Sequence, residues 1–365
     1  MLNGKYVIDA VVHSYNLDPA NHAVPRHAEG ITGMIFGVVA GSGPEYELEW
    51  DQYVRDWDVD ETASTLFLES DTDFAIYHPV PIGAYKDGLV SVEKAAEVLK
   101  KHPTRFRSYA TVDPMAGQAA LDELERQAEL LDPIGLKLYP SSWTAEGKHQ
   151  SFRMDDESIV YPLYEKAKQL GIGTVAVHKA VPLGPVPMDP YKLGDIDGAA
   201  GDHPDLNFEI VHGGVAFCEE TAWLLARFPN VFINLETLNI ICAKRPEQFS
   251  RAVLDMAVAV GDHIYDRMWW GTGHMAYHAR PCLEAFEAFQ FPEADLERAG
   301  QFAPVSQITD EHKAKILAGN YAATMGLDLA QLREDTADDD FARKRAAGGA
   351  AAPWSTSHTP VGAQS

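Results

Sequence analysis

The chain is expected to be an α/β protein built as a single (β/α)8 barrel, with a long lid insertion after the first strand. Three observations lead there. Eight short β-rich runs recur along the sequence, amphipathic helix-like segments separate them, and most of the runs are continuously apolar. A strand that is buried on both faces of a parallel sheet reads that way, whereas a half-exposed antiparallel strand alternates. Eight such units in series point to a closed barrel, and no Gly-x-Gly-x-x-Gly follows any strand to support an open dinucleotide-binding sheet.

The first run is KYVIDAVVH, residues 5–13. Behind it, residues 14–60 break the rhythm with Gly, Pro and acidic residues. An insertion at that point of a barrel lies over the C-terminal mouth, so it is expected to act as a lid whose aromatics, Tyr15, Tyr46, Trp50, Tyr53 and Trp57, wall the pocket. The next runs are DFAIYHPV (73–80), RFRSYATVDP (105–114) and IGLKLYP (134–140), with VSVEKAAEVLKKH and GQAALDELERQAELL as the intervening helices. SIVYPLYEKAKQLG follows, closed by Gly171 in the C-cap role that suits glycine. IGTVAVHKA (172–180), LNFEIVHGG (206–214), VFINLETL (231–238) and RMWWGTGH (267–274) complete the eight. The barrel is therefore assigned to residues 1–334. Residues 335–365 begin acidic and turn to Ala, Gly, Ser and Pro, a composition with little to bury, so a disordered tail is expected there, with Trp354 its one candidate anchor.

Composition narrows the function. A chain of 365 residues with 54 acidic and 30 basic side chains carries a formal charge of −24. Such a surface repels phosphate backbones and anionic lipid, which argues against nucleic-acid and membrane partners. Three scattered cysteines suit neither a disulfide framework nor a thiolate metal site and fit a reducing cytoplasm. The expected partner is a small-molecule substrate, with a homodimer left open.

Histidines mark the candidate site. His13, His178, His212 and His274 all stand at or near the end of an expected strand, where side chains of a parallel barrel converge on one mouth. One such histidine is usually an ordinary hydrogen-bonded residue; four from separate strands are what a borderline metal needs. His278 follows closely. Glu236 ends the seventh run and either supplies a carboxylate or caps the next helix. Lys137, inside the fourth run, either pairs with a carboxylate such as Asp9 or works in the site.

With these residues in order, the sequence resembles the metal-dependent hydrolases of the amidohydrolase superfamily, in the branch containing aminocarboxymuconate-semialdehyde decarboxylase. VIDAVVH, GLKLYP, VHK, IVHGG and the closing ITDEHKAKILAGNYAATMGLD carry the likeness from about residue 5 to residue 330. The resemblance implies that His178 and His212 bind metal. The family's first strand reads Asp-x-His-x-His; here Asp9 and His13 stand, but Val11 replaces the first histidine. The family's eighth strand ends in an aspartate that is Gly273 here. His274, His278 and Glu236 are new candidates near the same mouth, so a rebuilt site is expected, with metal ligands drawn from His13, His178, His212, Glu236, His274 and His278. One or two divalent ions, iron or zinc, are implied, with Lys137 as a carboxylated bridge in the two-metal form.

Two activities compete. The first is hydrolysis of an ester, thioester or amide by metal-activated water, with His278 or Glu236 moving the proton; likeness to a subgroup of iron-dependent thioester hydrolases favours the thioester. The alternative is non-oxidative decarboxylation of an unsaturated or aromatic carboxylic acid, ranked lower because in this branch it relies on the missing aspartate.

Overall fold

The computed structural model describes residues 1–357. Eight parallel strands form one sheet: β1 (Ile8–Val12), β2 (Phe74–Tyr77), β3 (Phe106–Thr111), β4 (Gly135–Leu138), β5 (Thr174–His178), β6 (Asn207–Val211), β7 (Val231–Asn234) and β8 (Met268–Trp269). Each pairs with its neighbour in chain order, as a right-handed βα repeat requires. The two edges meet where Ala10 N–H donates to Trp270 O at 3.0 Å and Gly273 N–H to Val11 O at 2.9 Å, with Val12 bridged to His274. That closes the (β/α)8 barrel. β1, β2, β4 and β5 are buried at every position, which is why their sequences are apolar runs without alternation.

The seam between β1 and β8 is held by Asp9. Its carboxylate, fully buried, accepts from Thr272 N–H and Val11 N–H at 2.9 and 3.3 Å and from the Thr272 hydroxyl. Burial still pushes Asp9 up to about 7, against those hydrogen bonds. Asp9 is thus occupied at the seam, and of the two alternatives for Lys137 the pair with Asp9 is not formed. Lower in the barrel, Glu209 accepts from Tyr109 Oη at 3.0 Å and Asn234 Nδ2 at 2.6 Å, filling the interior with a satisfied polar ladder.

The insertion folds around the helix Pro25–Ala40, opened by a proline in its first turn. A hairpin, Ser141–Trp143 with His149–Ser151, extends the loop after β4. No helix among the described residues is long and apolar enough to cross a membrane.

The C-terminal segment departs from expectation. Residues Asp340–Gly348 are helical, and Trp354 is fully buried instead of belonging to a loose tail. Its ring lies parallel to His274 at 5.9 Å and edge-on to His278 at 5.0 Å, and its indole N–H donates to Tyr46 O at 2.8 Å. The backbone is held by Glu69, which is itself buried: Trp354 N–H donates to Oε2 at 2.7 Å, and Ser355 donates from N–H and hydroxyl to Oε1 at 2.9 and 2.6 Å. Low local hydrophobicity hid this docking, because the partner group is a carboxylate far away in sequence. The last eight residues of the expected tail, 358–365, lie outside the described residues. Trp354→Ala is expected to cost about 3–5 kcal/mol, the range for emptying an aromatic site, and to lower Tm by about 4–6 °C for a chain of this size. Differential scanning calorimetry measures it, and an unchanged Tm contradicts the docking.

Candidate functional site

Five of the residues singled out in the sequence meet at the C-terminal ends of the strands. His13 follows β1, Lys137 lies in β4, His178 ends β5, His212 follows β6 and Glu236 follows β7. All five line one cavity of about 250 Å³. Strand geometry explains the convergence: residues two apart share a face, so Val11 and His13 both turn inward, and Val11 too lines the cavity. The chain leaving β5 is pinned by the buried pair Lys179–Asp195, with Nζ 2.8 Å from Pro190 O and 2.7 Å from Asp195 Oδ2.

The hydrogen-bond partners assign the ring protons. His178 Nε2 is 2.7 Å from Val181 O; a carbonyl only accepts, so that nitrogen carries the proton and Nδ1 keeps its lone pair. His212 Nδ1 is 2.5 Å from Glu236 Oε2 and 2.9 Å from Thr237 Oγ1. Facing a carboxylate, Nδ1 takes the proton, and Nε2 keeps its lone pair. The two remaining nitrogens, His178 Nδ1 and His212 Nε2, face each other at 3.1 Å. Two lone pairs at that distance repel unless a proton or a cation lies between them. The spacing also suits two imidazoles bound about 2.1 Å from one ion, with Val181 O and Glu236 orienting the rings from behind. Among the described residues, however, no three His, Cys, Asp or Glu side chains converge closely enough to enclose an ion. The residues therefore fit a cation held by two imidazoles, with its other positions open.

The surrounding groups are tuned by burial. His178 is held well below the ordinary histidine value by desolvation and by His212 and Lys137. His13 falls to about 4, mainly by desolvation; its Nδ1–H donates to His78 O at 2.8 Å, leaving Nε2 free as an acceptor. Lys137 drops to about 8 because burial outweighs the attraction of Glu209 and Glu236. For Glu236, burial acts upward, and His212, Lys137 and His13 overcome it and hold the carboxylate below its usual range.

Gly273 and Glu236 compete for the same space. A Cβ on Gly273 would lie 2.3 Å from Glu236 Oε1 and 2.8 Å from its Cδ and Cγ, and the residue sits at φ +63°. The glycine after the eighth strand and the glutamate after the seventh are therefore one feature: a carboxylate from the β7 end reaches the place a side chain at position 273 would fill. Glu236 makes no helix cap either; Thr237 precedes the helix Leu238–Lys244.

His274 and His278, expected among the ligands, are elsewhere. Neither lines the cavity. His274 is fully buried with Nδ1 3.2 Å from Tyr277 O and its ring against Trp354. His278 caps the helix Ala279–Ala288 by accepting Arg280 N–H on Nδ1, and Nε2 lies 3.1 Å from Glu69 Oε2. Both of its nitrogens are engaged, which leaves it no free group for catalysis. The positive φ at Gly273 resets the direction of the chain, so strand parity no longer predicts where His274 points. Of the five insertion aromatics, only Tyr15 lines the cavity; Tyr53 donates to Met275 O at 2.7 Å, and Trp57 packs on Trp354. The sequence reading missed the aliphatic residues that form most of the wall, and it missed Glu69, for which no local signal exists.

The amidohydrolase family model matches residues 78–327. No curated protein matches the chain in sequence. Among solved structures, an uncharacterized TIM-barrel protein of Bordetella bronchiseptica is 19% identical at a TM-score of 0.59, covering 91% of this chain and 100% of its own. A 2,6-dihydroxybenzoate decarboxylase from Rhizobium is 15% identical at 0.55, over 88% of this chain and 98% of its own. A 5-carboxyvanillate decarboxylase of Novosphingobium aromaticivorans, complexed with manganese and 4-hydroxy-3-methoxy-5-nitrobenzoic acid, is 14% identical at 0.56, over 89% and 97%.

The exclusion between positions 273 and 236 is directly testable. Gly273→Ala and Gly273→Asp are each expected to destabilise by about 1–3 kcal/mol, from overpacking and the left-handed φ together. Adding Glu236→Ala should recover the overpacking part. A double-mutant cycle in urea measures the coupling, expected at about 0.5–3 kcal/mol; additive costs would place the two side chains apart.

Proposed function

Because the chain belongs to the amidohydrolase family, we propose that its cavity is the active site of a metal-dependent, non-oxidative decarboxylase acting on an unsaturated or aromatic carboxylic acid. One observation carries the reading. The missing eighth-strand aspartate is the reason to rank decarboxylation low, and Glu236 brings a carboxylate into the space beside Gly273, joined to His212. Decarboxylases among the structural neighbours support it.

His178 Nδ1 and His212 Nε2 would hold a divalent cation, manganese as in the 5-carboxyvanillate enzyme or the iron or zinc that the sequence suggests. When bound, the ion supplies positive charge that orients the substrate's oxygens and stabilises negative charge as it develops. The remaining work belongs to the chain. Lys137, the one lysine or arginine in the cavity lining among the described residues, attracts the substrate carboxylate. His13 Nε2 accepts a hydrogen bond from a hydroxyl or carboxyl proton. The bond between the ring or alkene carbon and the carboxyl carbon breaks, carbon dioxide departs, and the electron pair stays on carbon. Glu236, an ionised carboxylate beside that carbon, takes up a proton from solvent and passes it to the carbon, while His212 keeps its own Nδ1 proton.

Hydrolysis is the second reading. No guanidinium lines the cavity among the described residues, and most of its wall is apolar, so an uncharged ester, thioester or amide also suits it. Glu236 would then take a proton from the water that attacks the carbonyl.

The test uses manganese-loaded protein with a panel of 2-hydroxybenzoic and enoic acids, following carbon dioxide, beside an aryl ester and an acyl thioester. His178→Ala and His212→Ala should each lose bound metal and turnover. Glu236→Gln should keep the metal and lose about 10²–10⁴ in rate, whereas His274→Ala should keep its metal. Ester or thioester cleavage without carbon dioxide release selects the hydrolase, and full metal content in both histidine variants removes the assignment.

A further inference from the structure

Polar and apolar groups are segregated in the cavity. Every charged or imidazole group lies on the floor, at strand ends. Apart from the hydroxyl-bearing Tyr15, Tyr139 and Thr237, the rest of the lining is aliphatic, and the two helices at the wall contribute only apolar side chains to it. On one side the helix Pro25–Ala40 presents Met34, Ile35 and Val38, positions i, i+1 and i+4 that share one helix face. On the other, the helix Leu238–Lys244 presents Ile240 and Ile241. Exposure grades along the first wall, from 5% at Ile35 to 39% at Met34, which sets Met34 at the entrance.

A hydroxyl or charge on the outward part of a substrate would leave water and find no partner between these helices, at a cost of about 1–3 kcal/mol on protein scales. A hydrocarbon there gains the full burial term. We infer that the substrate is amphipathic: a carboxyl head on the floor and an unsubstituted hydrocarbon body lying in the slot between the two helices, with Ile35 and Ile241 setting its selectivity. This rests on the decarboxylase reading for the position of the head and adds the chemical class of the rest of the molecule.

Calorimetric titration of the manganese-loaded protein with 4-methyl-, 4-ethyl-, 4-propyl- and 4-butylbenzoate tests it. Each methylene should tighten binding about fourfold, and 4-(hydroxymethyl)benzoate should bind at least tenfold more weakly than 4-ethylbenzoate. Ile35→Asn and Ile241→Asn should each flatten the series. If either variant fails to fold, Ile35→Ala and Ile241→Ala provide the same readout through a weaker dependence on chain length. A flat series in the parent protein, or equal binding of the hydroxymethyl compound, overturns the inference. The readout is binding, so acids that bind with the expected slope but release no carbon dioxide defeat the decarboxylase reading and leave the slot standing. Carbon dioxide release with a flat series does the reverse.

Discussion

At the rim after β7 and β8 the Glu236 side chain lies where a Cβ on Gly273 would come, and the site is organised around that contact. Gly273 has no Cβ, and the Glu236 carboxylate occupies the volume a Cβ would need. From there Glu236 holds His212 by Nδ1, which fixes the ring so that Nε2 faces His178 Nδ1. Val181 O fixes the second ring from the other side. A chain of fixed tautomers thus begins at one carboxylate and ends with two lone pairs aimed at a single point.

The same rim depends on packing behind it. The segment after β8 runs from Thr272, bound to Asp9 at the barrel seam, to His278, bound to Glu69. Trp354 fills the space behind His274 and His278, and Tyr53 of the insertion ties down Met275. Two parts of the chain that lie outside the family match, the insertion and the C-terminal segment, therefore support the loop that closes the barrel. A backing of this kind holds the loop on which Gly273 meets Glu236.

The sequence made the barrel legible because its strands are buried on both faces and read as apolar runs. His13, Lys137, His178, His212 and Glu236 were legible for the same reason, since strand register projects them to one mouth. Three things were not. His274 and His278 follow a glycine with positive φ, so their directions are set by packing against Trp354 and Glu69 and not by strand parity. Trp354 and Ser355 dock on Glu69 across 285 and 286 residues, a contact that composition cannot reveal. The exclusion between Gly273 and Glu236 spans two strands, and each residue read alone suggests a lost ligand or a helix cap.

Anomalous diffraction from crystals grown with manganese tests the central claim most directly. The account predicts one peak between His178 Nδ1 and His212 Nε2, with Glu236 still on His212 Nδ1 and the space beside Gly273 filled by its carboxylate. A peak between His274 and His278, or a Glu236 side chain turned away from His212, would contradict it.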